Sequence, residues 1–287
     1  MGHEPFAKAH LGSRSTVAVR GADARAWLDN LITNDMALLD KQGALFAGLL
    51  SPQGKILFEF FVVKSGSGFL LETQRDQVAG LIKRLTMYKL RAQVTVSEAL
   101  SDVFVGAEPL GAGEFLDPRA AMLGQSLGQR LVVSSSDPIL ADSGAEAYHA
   151  RRVGLCVPEA PNDYALGDTF PHEANWDLMG GVSFKKGCFI GQEVVSRMQN
   201  KTVVRKRIVK VSGTEALKSG VDVMLGEAVI GRVGTVAGYD ALAMLRLDRV
   251  AEVDGAGLMA GGVTLTVDAD ALQRYRESVA SKPVIDL

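Results

Sequence analysis

Apolar and polar residues alternate over "STVAVRG" (15–21), which predicts a strand. In the next segment Trp27, Leu28, Leu31 and Ile32 share one helical face until "TND" interrupts it. "ALFAGLL", "KILFEFFVVK" and "GFLLET" then read as three strands separated by "SPQG" and "SGSG", turn compositions suited to hairpins, so an antiparallel meander is expected. Val78, Leu81, Ile82 and Leu85 recur at i, i+3, i+4 and i+7 and predict a helix over 75–87 covering one face of that sheet. A further strand, "AQVTVSE", follows. Between about 100 and 150 the pattern weakens: "GAEPLGAGEFLDP" reads as a loop, "RLVVSS" as a short strand, and "DSGAEAYHARRVGLCV" as holding a helix from about Ala145.

After about residue 200 the texture changes to short strands and glycines: "VVRKRIVKV", "EAVIGRVGTVAG", "DALAMLRLDRV" and "VTLTVDA". Strands so closely spaced predict a small antiparallel barrel or sandwich. The expected organisation is α+β, with a body over 1–200 made of two intertwined domains and a C-terminal β-barrel domain over 201–287. A chain of 287 residues is long enough for more than one domain and for a substantial core.

Composition narrows the chemistry. The formal charge of −2 gives no electrostatic reason to expect a nucleic acid or an anionic membrane as partner, and no window supplies the ~20 apolar residues of a membrane span. Two cysteines, Cys156 and Cys188, cannot build a disulfide framework, and the four histidines have no zinc-type spacing with them. A cluster of iron and sulfide usually takes four thiolates, so this chain would meet one only as a helper or with a partner's ligands. "MGHEPFAKAHLGSRS" lacks an apolar signal core and carries Glu4 against the acid-poor pattern of transit peptides, so the expected compartment is the cytoplasm.

The stretch "SFKKGCFIGQEVVSRMQ" (183–199) concentrates the candidate chemistry. A helix starting near Gly191 would put Cys188 at or just before its N-terminus, where unpaired N–H groups favour a thiolate, and Lys185 and Lys186 act in the same direction. Free cysteines are also commonly buried and inert, the reading adopted for Cys156 among its apolar neighbours. His172 is the one candidate base for Cys188, and its place in a Pro-flanked loop favours a structural role. Glu193 falls in the first helical turn, where the dipole alone favours a carboxylate. A carboxylate can also accept the two parallel N–H donors on the edge of a flat heterocycle such as a pterin, with Gln192 and Asn175 adding amide contacts.

"KKGCFIGQEVVSRMQ" resembles the K-G-C-Y-x-G-Q-E signature of the folate-binding YgfZ family, whose mitochondrial relatives assist iron–sulfur cluster maturation and which is related to the aminomethyltransferase T-protein of the glycine cleavage system. "WLDNLITNDM", "LSPQGKILFEFFVV", "RRVGLCVPE", "FPHEANWDLMGGVSF" and "IGRVGTVAGYDALAMLRLD" are similar to that family in the same order. Phe189 replaces the usual Tyr and removes a hydroxyl. The resemblance implies a T-protein-like arrangement of three domains around a central channel, ending in a β-barrel, with tetrahydrofolate or a derivative bound. It implies a functional thiol at Cys188 and folate contacts at Glu193, Gln192, Glu173, Asn175 and Lys186.

T-proteins carry an aspartate pair where this chain has Phe58 and Glu59, and Glu59 is read as alternating outward along its strand. Losing a positioned acid typically removes ~10²–10⁴-fold in rate, so competent aminomethyl transfer is not expected. The expected function is therefore that of a tetrahydrofolate-binding accessory protein in iron–sulfur cluster assembly or repair, with iron–sulfur client or assembly proteins as partners. A folate-dependent aminomethyltransferase or demethylase is the alternative.

Overall fold

The computed structural model describes residues 8–134 and 144–282. The first seven residues and 135–143, including the start of "DSGAEAYH", lie outside the described residues. The chain divides into two compact units, one drawn from Met1–Pro52, Ile56–Tyr148 and Met179–Ile190, the other from Gln53–Lys55, His149–Leu178 and Gly191–Leu287.

The first unit contains, in chain order, β1 (Ala9–His10), β2 (Arg14–Arg20), α1 (Ala24–Leu31), α2 (Leu39–Gln42), β3 (Ala44–Leu50), β4 (Ile56–Ser65), β5 (Gly68–Gln74), α3 (Val78–Tyr88), β6 (Thr95–Ala99), β7 (Ser101–Gly106), β8 (Phe115–Leu116) and β9 (Gln129–Ser134). The expected meander is there: β3, β4 and β5 pair antiparallel within a five-stranded sheet of order β3-β4-β5-β2-β6. One face of it is covered by α1 and α3, where Trp27, Leu28, Leu31, Val78, Leu81 and Leu85 pack on Val17, Val19, Phe60, Val62 and Leu71. Each such side chain stabilises the unit by roughly 1.5–3 kcal/mol relative to exposure. The weakly patterned stretch after residue 100 holds β7, and β8 lies within the segment read as a loop, 106–118. They belong to a second sheet of order β1-β7-β9-β8, and their partners are too distant in sequence to leave a local signal.

The opposite face of the five-stranded sheet is charged and dry. Arg14 pairs with Glu72, Arg130 of β9 donates to Glu72 at 2.8 and 3.0 Å and to Asp117 at 3.2 Å, and Arg119 chelates Asp117 at 2.8 and 3.0 Å. The Tyr148 hydroxyl accepts from both Arg119 and Arg130, and the Arg130 guanidinium lies 4.3 Å from the Phe61 ring centroid. Burial raises the Glu72 and Asp117 pKa values, but the facing arginines outweigh it and hold both carboxyls below their ordinary range. Glu59, expected to alternate outward, is only 3% exposed and shares this face with Phe61. Strand β4 is covered on both sides, so alternation here separates two interiors.

Helix α4 (Glu146–Gly154) begins beside the expected Ala145, and its residues are divided between the two units. The second unit also holds α5 (Gln192–Lys201), β10 (Lys206–Gly213), β11 (Asp222–Leu225), β12 (Ala228–Ala237), β13 (Asp240–Arg246), α6 (Leu247–Glu252), β14 (Leu258–Ala260), β15 (Val263–Val267) and α7 (Ala269–Ser281). Its six strands close an antiparallel barrel of order β10-β13-β12-β11-β14-β15, which removes free sheet edges. Gly231 is required where β12 meets β13, because a Cβ there would lie 2.0 Å from the Met244 carbonyl oxygen. Buried Asp163 ties the 149–178 segment to this barrel, accepting from Arg152 Nη1 at 3.0 Å and from the Thr235 amide at 2.7 Å. Helix α7, not expected from the pattern, is capped by Asp268 accepting from the Ala271 amide at 3.0 Å, and buries Ala271 and Leu272. Among the described residues no helix is long and apolar enough to cross a membrane.

Candidate functional site

Cys188 sits in an irregular segment three residues before Gly191, the N-cap of α5, and is exposed. Its loop is fastened to the first unit by polar groups that the sequence offered only as a helix break. Thr33 Oγ1 donates to the Gly181 carbonyl at 2.7 Å and Thr33 O accepts from the Ser183 amide at 2.9 Å. Asn34 Nδ2 donates to Gly180 O at 2.7 Å and to Phe46 O at 2.9 Å. Because Thr33 and Asn34 are both buried, these bonds are not in competition with water.

Lys186 completes the fastening. Its side chain is 2% exposed, and its Nζ donates to the carbonyls of Asp29, Ile32 at 3.1 Å and Asn34 at 2.8 Å, with the Asp29 carboxylate 3.4 Å away. These carbonyls lie at and just beyond the C-terminal end of α1, where unpaired acceptors and the negative dipole end favour a cation. Burial lowers the lysine's pKa, and Asp29 partly offsets it. Phe189, one residue beyond the cysteine, is buried, and Ile190 packs against the core of the first unit. The thiol is thus exposed between two anchored neighbours. A phenolic hydroxyl at position 189 would need a partner in that buried site, so the Phe is at home there.

Asn175 is buried in the second unit with φ +61°, its amide donating to Ile208 O at 3.0 Å and its Oδ1 accepting from Arg207 Nη1 at 3.1 Å. Arg207 also forms a two-pronged pair with Asp177 at 2.9 Å; burial raises that acid's pKa, but the arginine's charge overrides it and keeps the acid below its usual range. Glu173 accepts from the Phe170 amide at 2.8 Å, and burial pushes its pKa up. Gln192 opens α5, and Glu193 is 87% exposed with Arg197 at 3.3 Å. His172 is buried, bonds Gln199 at 2.9 Å and has its pKa lowered by burial, in keeping with a structural histidine. Burial pushes the Cys156 thiol up to about 12, although part of the residue remains accessible. Among the described residues no three His, Cys, Asp or Glu side chains gather as a metal site.

These placements test the fit of a folate. Glu193 offers an accessible carboxylate, and Glu173 retains one oxygen beyond its bond to Phe170. Asn175 and Lys186 are committed to backbone carbonyls and neighbouring side chains, and do not fit the role of ligand contacts.

Over 98% of its length the chain superposes on 89% of the glycine cleavage system aminomethyltransferase T from Bartonella henselae, with a TM-score of 0.68 and 16% identity. The class is therefore a T-protein fold. Residues 205–272 match the CAF17 C-terminal beta-barrel domain, which is the barrel described above. The human mitochondrial iron–sulfur cluster assembly factor IBA57 is 32% identical over 79% of this chain and 72% of its own length; the mouse protein is 31% identical over 84% and 77%. The Neurospora crassa homologue is 31% identical, and the chain spans 52% of that protein's length. The chain belongs to the IBA57 family of iron–sulfur cluster assembly factors.

Two expectations are adjusted by these relatives. The family they name is IBA57, where the signature had suggested the related YgfZ branch. The expected cytoplasmic location is overturned, because these relatives are mitochondrial proteins. The expectation rested on the composition of residues 1–15 alone, which is a weak guide to compartment.

Proposed function

We propose that this protein is an accessory factor of iron–sulfur cluster assembly or repair in which Cys188 is the working thiol and tetrahydrofolate is bound through Glu193. The observation that carries the reading is the exposed Cys188 on a loop pinned by Lys186, Thr33 and Asn34, in a chain of the IBA57 family. One thiolate cannot hold a cluster, so the cluster is cargo whose remaining ligands come from a client or assembly protein. Pinning the loop limits the entropy lost when the thiol engages that cargo.

Glu193 supplies the acceptor pair for a pterin edge, and Gln192 lies beside it on the first turn of α5. The burial of Glu59 weighs against its replacing the lost aspartate in one-carbon transfer. The test is complementation of a strain lacking the native gene, read as activity of cluster-dependent enzymes. Cys188→Ala is expected to fail, and full rescue overturns the role of the thiol. The folate reading is tested separately by titration calorimetry, in which saturable heat with tetrahydrofolate is lost in Glu193→Ala. Absence of heat in the unaltered protein overturns it.

A further inference from the structure

The C-terminal end of α3 carries a cationic surface with two exposed apolar side chains. Residues 77–97 contain Lys83, Arg84, Lys89 and Arg91 and no Asp or Glu, although the whole chain has a net charge of −2. The face of α3 opposite Leu81 and Leu85 runs through Lys83 and Met87, and the chain then turns at Leu90, closed by the Ala92 amide donating to Lys89 O at 2.9 Å. Met87 is 62% exposed and Leu90 is 89% exposed. None of the four cations forms an ion pair with a carboxylate of the described residues. The tip is held at both ends, by Trp27 Nε1 donating to Tyr88 O at 3.1 Å and by Asp23 accepting from the Gln93 amide at 2.7 Å.

Leu90 is unfavourable twice over. It leaves a large apolar side chain in water, and its φ of +44° lies in the left-handed region where glycine is the ordinary choice. A strained residue at a well-anchored turn points to use.

We infer that this tip docks reversibly on an anionic lipid surface, with Leu90 and Met87 entering the headgroup boundary and Lys83, Arg84, Lys89 and Arg91 facing the lipid phosphates. Size favours lipid over protein. A stable protein interface needs about 800 Å² per partner and a shaped pocket, whereas two protruding side chains fall well short and a fluid bilayer accepts them without one. The charge is of a single sign, complementary to an anionic leaflet, and each cation near such a surface raises partitioning about five-fold.

The experiment is flotation of the full chain with vesicles of phosphatidylcholine alone and of phosphatidylcholine mixed with phosphatidylglycerol. Binding is expected only to the mixed vesicles and is expected to fall with added salt. Lys83→Gln with Arg91→Gln should lower partitioning about 25-fold, from the same factor applied twice. Leu90→Gly should lower it roughly ten-fold while leaving the melting temperature unchanged or higher, because it relieves the turn; this separates docking from folding. No binding to mixed vesicles overturns the inference. Binding that Leu90→Gly and the double substitution leave intact overturns it too. Salt-sensitive binding to polyglutamate or duplex DNA without vesicle binding overturns it in favour of an acidic protein or a nucleic acid.

Discussion

Replacing Lys186 with Met keeps most of the side-chain volume and removes the ammonium from the carbonyls of Asp29, Ile32 and Asn34. A buried acceptor left without a donor costs about 1–3 kcal/mol. Asp29 is partly exposed and water can reach it, so its carbonyl and its ion pair contribute little. The Ile32 and Asn34 carbonyls dominate, and the expected loss is roughly 2–4 kcal/mol. Differential scanning fluorimetry should show the melting temperature falling by roughly 5–10 °C. Hydrogen exchange should show the Ser183 amide, which donates to Thr33 O, losing protection before the strands of the sheet do. Alkylation of Cys188 should quicken as its loop loosens. A melting temperature within about 1 °C of the parent, with Ser183 protection intact, would refute the claim that Lys186 holds the thiol loop in place.

Arg130→Met should destabilise the first unit by roughly 3–5 kcal/mol, because Glu72 and Asp117 are left buried with reduced compensation; urea denaturation measures it, and Arg130→Lys should not restore the loss, since an ammonium cannot make the two-pronged contacts. Asn175→Ala should lower stability by about 2–4 kcal/mol through the left-handed backbone and the lost bonds to Ile208 and Arg207, while tetrahydrofolate titration of the folded variant stays unchanged. His172 has a folded pKa below its unfolded 6.5, so its contribution is present above that pH and lost as pH falls through the lower folded value. Stability should therefore drop as pH falls below 6.5, and this drop should shrink in His172→Asn. Glu173, with its raised pKa, acts in the opposite direction in both proteins and cancels in the difference.

Periodicity and turn chemistry alone located the meander of β3, β4 and β5, the helices α1 and α3, the start of α5 and the texture of the barrel, because each rests on contacts between neighbours in sequence. The same local signals left β7, β8 and α7 unread. Two of these gain their stability from a sheet partner far along the chain, and the third from packing Leu272 into the barrel's core. The motif "KKGCFIGQE" singled out Cys188 and Glu193, and the structure leaves both facing solvent. Its lysine looked like a charge for the thiol or the ligand; only the tertiary structure showed the ammonium turned onto the end of α1, since nothing in a linear motif tells where the nearest unpaired carbonyls will be. Glu59 teaches the same lesson from the other side. Alternation along a strand establishes which residues share a face, but whether that face meets water or a second sheet is decided by the segments that fold over it, and here they bring Arg119 and Arg130.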